Sequence, residues 1–199
     1  GSFQEACDLW SKFSNLQTPI YITSKNEKVY REFKDAIALI LLDSRRIVIS
    51  YEQIKKMGME EFSKEIIAHE VGHHMRYPSD LIHHGKLLGR MRRALLEFGD
   101  RSPRILNMFQ DILINDKLQT EDGLNMSGIY EKMTENAAKN SPTGKPEFDP
   151  LWQFYMRTFE ILWDKHGKLT PPVIPEVEFQ AKTAADLIMN TGSDIIINS

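Results

Sequence analysis

The stretch Glu60-Glu61-Phe62-Ser63-Lys64-Glu65-Ile66-Ile67-Ala68-His69-Glu70-Val71-Gly72-His73-His74-Met75-Arg76-Tyr77, closed by Pro78, decides how this chain is read. Its apolar residues recur with the period of a helix, and the proline ends it. Each helical residue advances about 100°, so His69 and His73 lie about 40° apart on one face, where two imidazoles can reach one ion. Glu70 falls about 60° beyond His73. It points at the same volume without being forced to ligate, which is what a general base needs when it takes a proton from a metal-bound water. With Phe62 at 0°, Ile66 comes at about 40°, His69 at about −20°, His73 at about 20° and Glu70 at about 80°. The three polar residues therefore continue an apolar stripe and are predicted to be buried. Two buried histidines and a carboxylate are costly unless a divalent cation satisfies them together. His74, about 100° from His73, reads as a neighbouring or solvent-facing residue, and the same default covers His83, His84 and His166.

A catalytic zinc site takes three protein ligands and keeps one position open. In the extended motif with a third histidine, a glycine and a histidine would stand where this chain has Arg76 and Ser79, so that arrangement is not expected. The better source is Ile105 to Asp116, a helix apolar nearly all round in which acids are anomalous. There Asn107, Asp111, Ile114 and Leu118 share one face, and Asp116 falls on the other with Ile105, Phe109 and Ile112. Asp111 is the expected third ligand, oriented by Asn107 one turn earlier. Glu97, Asp116 and His83 stay open as alternatives, and a carboxylate that merely accepts hydrogen bonds from Asn107 or a loop is the structural alternative. The single cysteine, Cys7, offers no thiolate cluster, so any zinc here uses nitrogen and oxygen ligands, as catalytic sites do.

From Ile47 to Leu118 the chain resembles the zincin metallopeptidases, and among them the metallopeptidase domains associated with von Willebrand factor A proteins. The shared pattern is a strand leading into a short helix (Ile47-Val48-Ile49-Ser50-Tyr51), the helix bearing His69, Glu70 and His73, and a downstream Asn107 and Asp111 followed by Asn115. This covers a little over a third of the chain. The resemblance implies a zincin-like fold, zinc held by His69, His73 and Asp111, and Glu70 activating water. It also implies a sheet edge beside the metal on which an extended peptide can add as a strand.

Outward from the motif, Phe3 to Asn15 reads as a helix and Ile20 to Thr23 as a strand. Ala36 to Ser50 reads as a strand pair turned at Asp43-Ser44-Arg45-Arg46. Tyr51 to Met57 is a short helix stopped by Gly58, Ser79 caps a helix to about Phe98-Gly99, and Ser102-Pro103 opens one to about Leu118. A short helix is expected near Tyr130 to Lys139. From Phe148 to His166 the stripe Leu151, Trp152, Tyr155, Met156, Phe159, Leu162 and Trp163 reads first as core. The fold class is α+β: predominantly helical, with a small sheet N-terminal to the motif helix. Residues 1–168 are expected to form the zincin-like domain, and 169–199 a proline-rich linker (Pro171 to Pro175) and C-terminal arm cut before a further domain. Gly1-Ser2 reads as an expression scar.

The 199 residues carry 25 Lys and Arg against 28 Asp and Glu, a net charge of −3 with 41% hydrophobic residues. That balance suits a folded domain and argues against a dedicated nucleic-acid binder. No stretch reaches the length of a membrane span, and one cysteine fits a reducing, cytoplasmic setting. The expected function is a zinc-dependent peptidase acting on a protein or peptide, with Glu70 as general base and then proton donor to the leaving amine. Tyr130, Tyr155 and His83 stand as oxyanion donors that sequence does not separate. A rival is a catalytically silent zinc-bound scaffold that contacts a protein partner through the Trp152/Trp163 helix. A DNA-associated protease would rest on Lys86, Arg90, Arg92 and Arg93, which alternate with Leu87, Leu88 and Met91 as an ordinary solvated face does.

Overall fold

The computed structural model describes residues 2–10, 17–22, 37–41, 46–75, 81–94 and 100–191. The architecture is α+β and mostly helical, and the chain divides into two compact units, Gly1–Ile114 and Asn115–Ser199.

The first unit holds α1 (Ser2–Asp8), β1 (Gln17–Ile22), β2 (Ala38–Leu41), β3 (Arg46–Ser50), α2 (Tyr51–Lys56), a 3-10 turn (Glu60–Phe62), α3 (Ser63–Met75), α4 (Leu81–Ala94) and most of α5 (Ser102–Thr120). Strand order is β1-β3-β2. β3 takes the centre because Ile47, Val48 and Ile49 are all buried, as a strand covered on both faces requires. β2 pairs with it antiparallel, Leu39 opposite Val48, as the strand-turn-strand reading expects; residues 42–45 of the turn lie outside the described residues. β1 runs parallel to β3 with Ile20 opposite Val48. Its register shifts between Gln17 and Ile20, where Pro19 has no N–H to give the ladder, a defect that an outer strand tolerates. Thr23 and residues 11–16 of the expected first helix fall outside the described residues.

β3 passes directly into α2. Ser50 ends the strand and caps the helix, its Oγ accepting the Gln53 N–H at 3.3 Å. Gly58, at φ 64, supplies the left-handed stop. The motif helix packs against α1 and β2. Ala68 and Val71 are its deepest residues, both at 0% exposure.

In the second unit the last turns of α5 join α6 (Met126–Asn140), α7 (Pro150–Leu162) and α8 (Pro175–Thr191). α6 starts earlier than the expected Tyr130 because Asn125 caps it, Oδ1 accepting the Gly128 N–H at 3.1 Å. α7 is capped by Asp149, with Pro150 in its first turn. Its stripe is core: Tyr155, Met156 and Phe159 are buried, and the Phe159 and Trp163 rings stack at 4.2 Å. Residues 169–199, read from sequence as linker and arm, contain α8, which packs on α7 and buries Val177, Ala181, Ala185 and Ile188. No helix among the described residues is long and apolar enough to cross a membrane.

Candidate metal centre

α3 and α5 deliver three ligand atoms to one place in the first unit. His73 Nε2 lies 2.8 Å from Asp111 Oδ1 and 3.1 Å from His69 Nε2, and His69 Nε2 lies 3.6 Å from Asp111 Oδ1. Tetrahedral ligands about 2.0–2.1 Å from a zinc ion are separated by about 3.3 Å, a value these three distances straddle. The donor set is two imidazole nitrogens and a carboxylate oxygen, as in catalytic rather than structural zinc sites. Protons alone fit the cluster poorly. His73 Nε2 carries at most one hydrogen, which can serve His69 Nε2 or Asp111 Oδ1 but not both. A cation satisfies all three lone pairs at once.

Asp111 is held from behind, its Oδ2 accepting the Asn107 side-chain N–H at 3.1 Å. Helical spacing sets this contact, since 107 and 111 are one turn apart. Glu70 follows His69 on α3 and lies within the field of the cluster. Burial pushes its carboxyl pKa up, His69 and His73 pull it down, and Asp111 adds a smaller push upward.

The stripe reading places His69, Glu70 and His73 in the core. The structure corrects the degree: His73 is buried at 9% exposure, while His69 and Glu70 are half-buried. α3 turns its Ala68/Val71 side to the interior and leaves His69 and Glu70 less deeply buried than His73. The Asp111 side chain is 15% exposed. Of the alternative third ligands, Asp116 accepts the Trp163 Nε1–H at 3.1 Å in the second unit and is not in the cluster. Glu97 and the side chain of His83 lie outside the described residues. His74 is not one of the three. His166 bonds Arg157 at 3.0 Å. Of the oxyanion candidates, Tyr130 and Tyr155 are buried with their hydroxyls 2.6 Å apart, and Asn115 Nδ2 donates to Tyr130 at 2.7 Å.

Sequence reasoning passes over Gly72. A Cβ there would lie 2.5 Å from Trp10 Cζ2 and 2.8 Å from Ile114 Cγ2. Only glycine lets the Trp10 ring and Ile114 close on α3 between its two histidines. A glycine in mid-helix costs about 1 kcal/mol against alanine, and that cost was the available signal that something touches the backbone there. No protein-family model, curated protein or solved structure matches the chain.

Proposed function

We propose that this chain is a zinc-dependent peptidase with a zincin-like first unit, in which His69, His73 and Asp111 hold the metal and Glu70 handles the proton. The carrying observation is the meeting of His69 Nε2, His73 Nε2 and Asp111 Oδ1 with the Glu70 carboxylate in the same field. Bound zinc would lower the pKa of a coordinated water and polarise the scissile carbonyl. Glu70 accepts the proton of the attacking water and passes it to the leaving amine. A carboxyl pushed upward by burial holds a proton more readily, which suits a group that takes one and hands it on. Asn107 fixes the carboxylate plane of Asp111. Among the described strands β2 is an outer one and packs on α3, so its free edge is where an extended substrate would pair. The single cysteine supports a reducing, cytoplasmic setting.

The test is Glu70→Ala assayed on a broad peptide library beside metal analysis. Zinc retained with hydrolysis lost is the expected result; full proteolysis in that variant refutes the mechanism. The rival, a silent scaffold that binds a partner through Trp152 and Trp163, loses support from Trp163, whose ring stacks on Phe159 inside the second unit. A zinc-loaded wild-type chain that cuts nothing in the library would restore it.

A further inference from the structure

We propose that Trp10 is a positioning residue for the metal site: its indole N–H and ring clamp the turn of α3 that carries both histidines. The inference rests on the metal reading above. Trp10 Nε1 donates to the Ala68 carbonyl oxygen at 2.7 Å across 58 residues of sequence. By the helical pattern that carbonyl also accepts the Gly72 N–H. Ala68 is fully buried and immediately precedes His69. The indole therefore adds a second donor to the one hydrogen bond that spans His69 to Gly72 and leads into His73.

The ring itself lies against Gly72, where a Cβ would come 2.5 Å from Cζ2; Ile114 presses on the same atom-free spot from α5, at 2.8 Å. Ile114 is three residues beyond Asp111, one helical turn along. One turn of α3 is thus gripped by the N-terminal segment and by the helix that brings the third ligand. The two histidines bracket that turn, so all three ligand positions are referenced to Gly72. Trp10 is placed in its own right by a turn after α1, its N–H bonding Cys7 O at 3.0 Å. Metal ligation tolerates misplacement of only about 0.5 Å, so a device that fixes a ligand-bearing turn should appear in metal affinity.

The test uses the full chain, Zn²⁺ titrated against a competing chelator, and Co²⁺ absorption. Trp10→Phe removes the donor and, with Cζ2, the closest contact on Gly72. It should bind Zn²⁺ about tenfold more weakly, the lower end of what loss of an outer-shell partner costs, with changed Co²⁺ ligand-field bands. A second measurement needs no variant. Coupling is reciprocal, so Zn²⁺ should slow exchange of the Trp10 indole hydrogen by a similar factor of about ten and leave that of Trp163 unchanged. Affinity within twofold of wild type with an unchanged Co²⁺ spectrum, or indole exchange indifferent to Zn²⁺, overturns the clamp while the metal reading stands. A wild-type chain that binds no Zn²⁺ overturns the metal reading and the clamp with it.

Discussion

Two clusters of titratable groups among the described residues, one in each unit, are built on different terms. In the second unit Arg157 donates from Nε and Nη2 to Glu178 at 2.6 and 3.0 Å and from Nη1 to Glu160 at 2.7 Å. The other oxygen of Glu160, a residue 1% exposed, takes the N–H groups of Leu169 and Thr170 at 2.8 and 3.1 Å. Lys182 Nζ, 3.1 Å from Glu178 Oε1, sets a second cation beside the two carboxylates. Hydrogen bonding to Arg157 holds the Glu178 carboxyl down at about 2, and Glu178 in turn holds the arginine further above its usual range. In the first unit His69 Nε2, His73 Nε2 and Asp111 Oδ1, three atoms able to offer lone pairs, meet within 3.6 Å of one another. A guanidinium tied to carboxylates fastens chain segments; imidazole and carboxylate lone pairs converging on one point are a place for a cation.

Four experiments probe the difference between the two clusters. The largest effect is expected from Glu160→Ala, which takes a partner from Arg157 and strands two buried N–H groups. It should cost about 3–5 kcal/mol in urea unfolding followed by tryptophan fluorescence in a Trp10→Phe background, which leaves Trp152 and Trp163 as reporters. If Asp111→Ala costs the metal-free protein as much, the first cluster is structural after all. Next, Zn²⁺ at a thousand times its Kd should stabilise the wild type by about 4 kcal/mol. Both His73→Ala and Asp111→Ala should abolish that gain; loss in the histidine variant alone would remove Asp111 from the ligand set. Gly72→Ala should cost about 1–3 kcal/mol by overpacking against Trp10 and Ile114, read as a lower melting temperature of the apo chain.

The smallest effect concerns pH. The folded pKa of Glu178, about 2, lies below its ordinary 4.5, so its pairing stabilises the fold above about pH 4.5 and is lost as pH falls toward 2. Because Glu178 is partly exposed, the effect of Glu178→Gln should stay under about 1 kcal/mol. It should flatten that acid limb in melts taken between pH 5 and pH 2. An unchanged limb would show the second cluster to be less coupled than its geometry suggests.

What sequence exposes depends on whether a signal is local. His69, Glu70 and His73 are legible because helical periodicity places them by arithmetic, and Asp111 because an acid in an apolar helix asks for a reason. Ser50, Gly58 and the Ser102-Pro103 start are legible for the same kind of cause, a chemistry confined to one turn. Trp10 is not, since its partner Ala68 lies 58 residues away and nothing near either residue marks the pairing. Sequence overstates the depth of the histidine face, because a wheel gives direction but not what fills the space in that direction. α8 was missed behind its prolines: Pro175 is a good helix opener, and the small Ala181 and Ala185 that fit it to α7 look unremarkable in a list of residues.

Cys7 sits on α1, 2% exposed, and is the only cysteine in the chain. α1 is the element that packs on the motif helix and leads into Trp10. A thiol reagent reaches a sulfur this buried only through a local opening, so the rate of labelling measures the free energy of that opening. The protein thus carries a single-site reporter of how tightly its N-terminal segment is latched, readable by mass with no label engineered in.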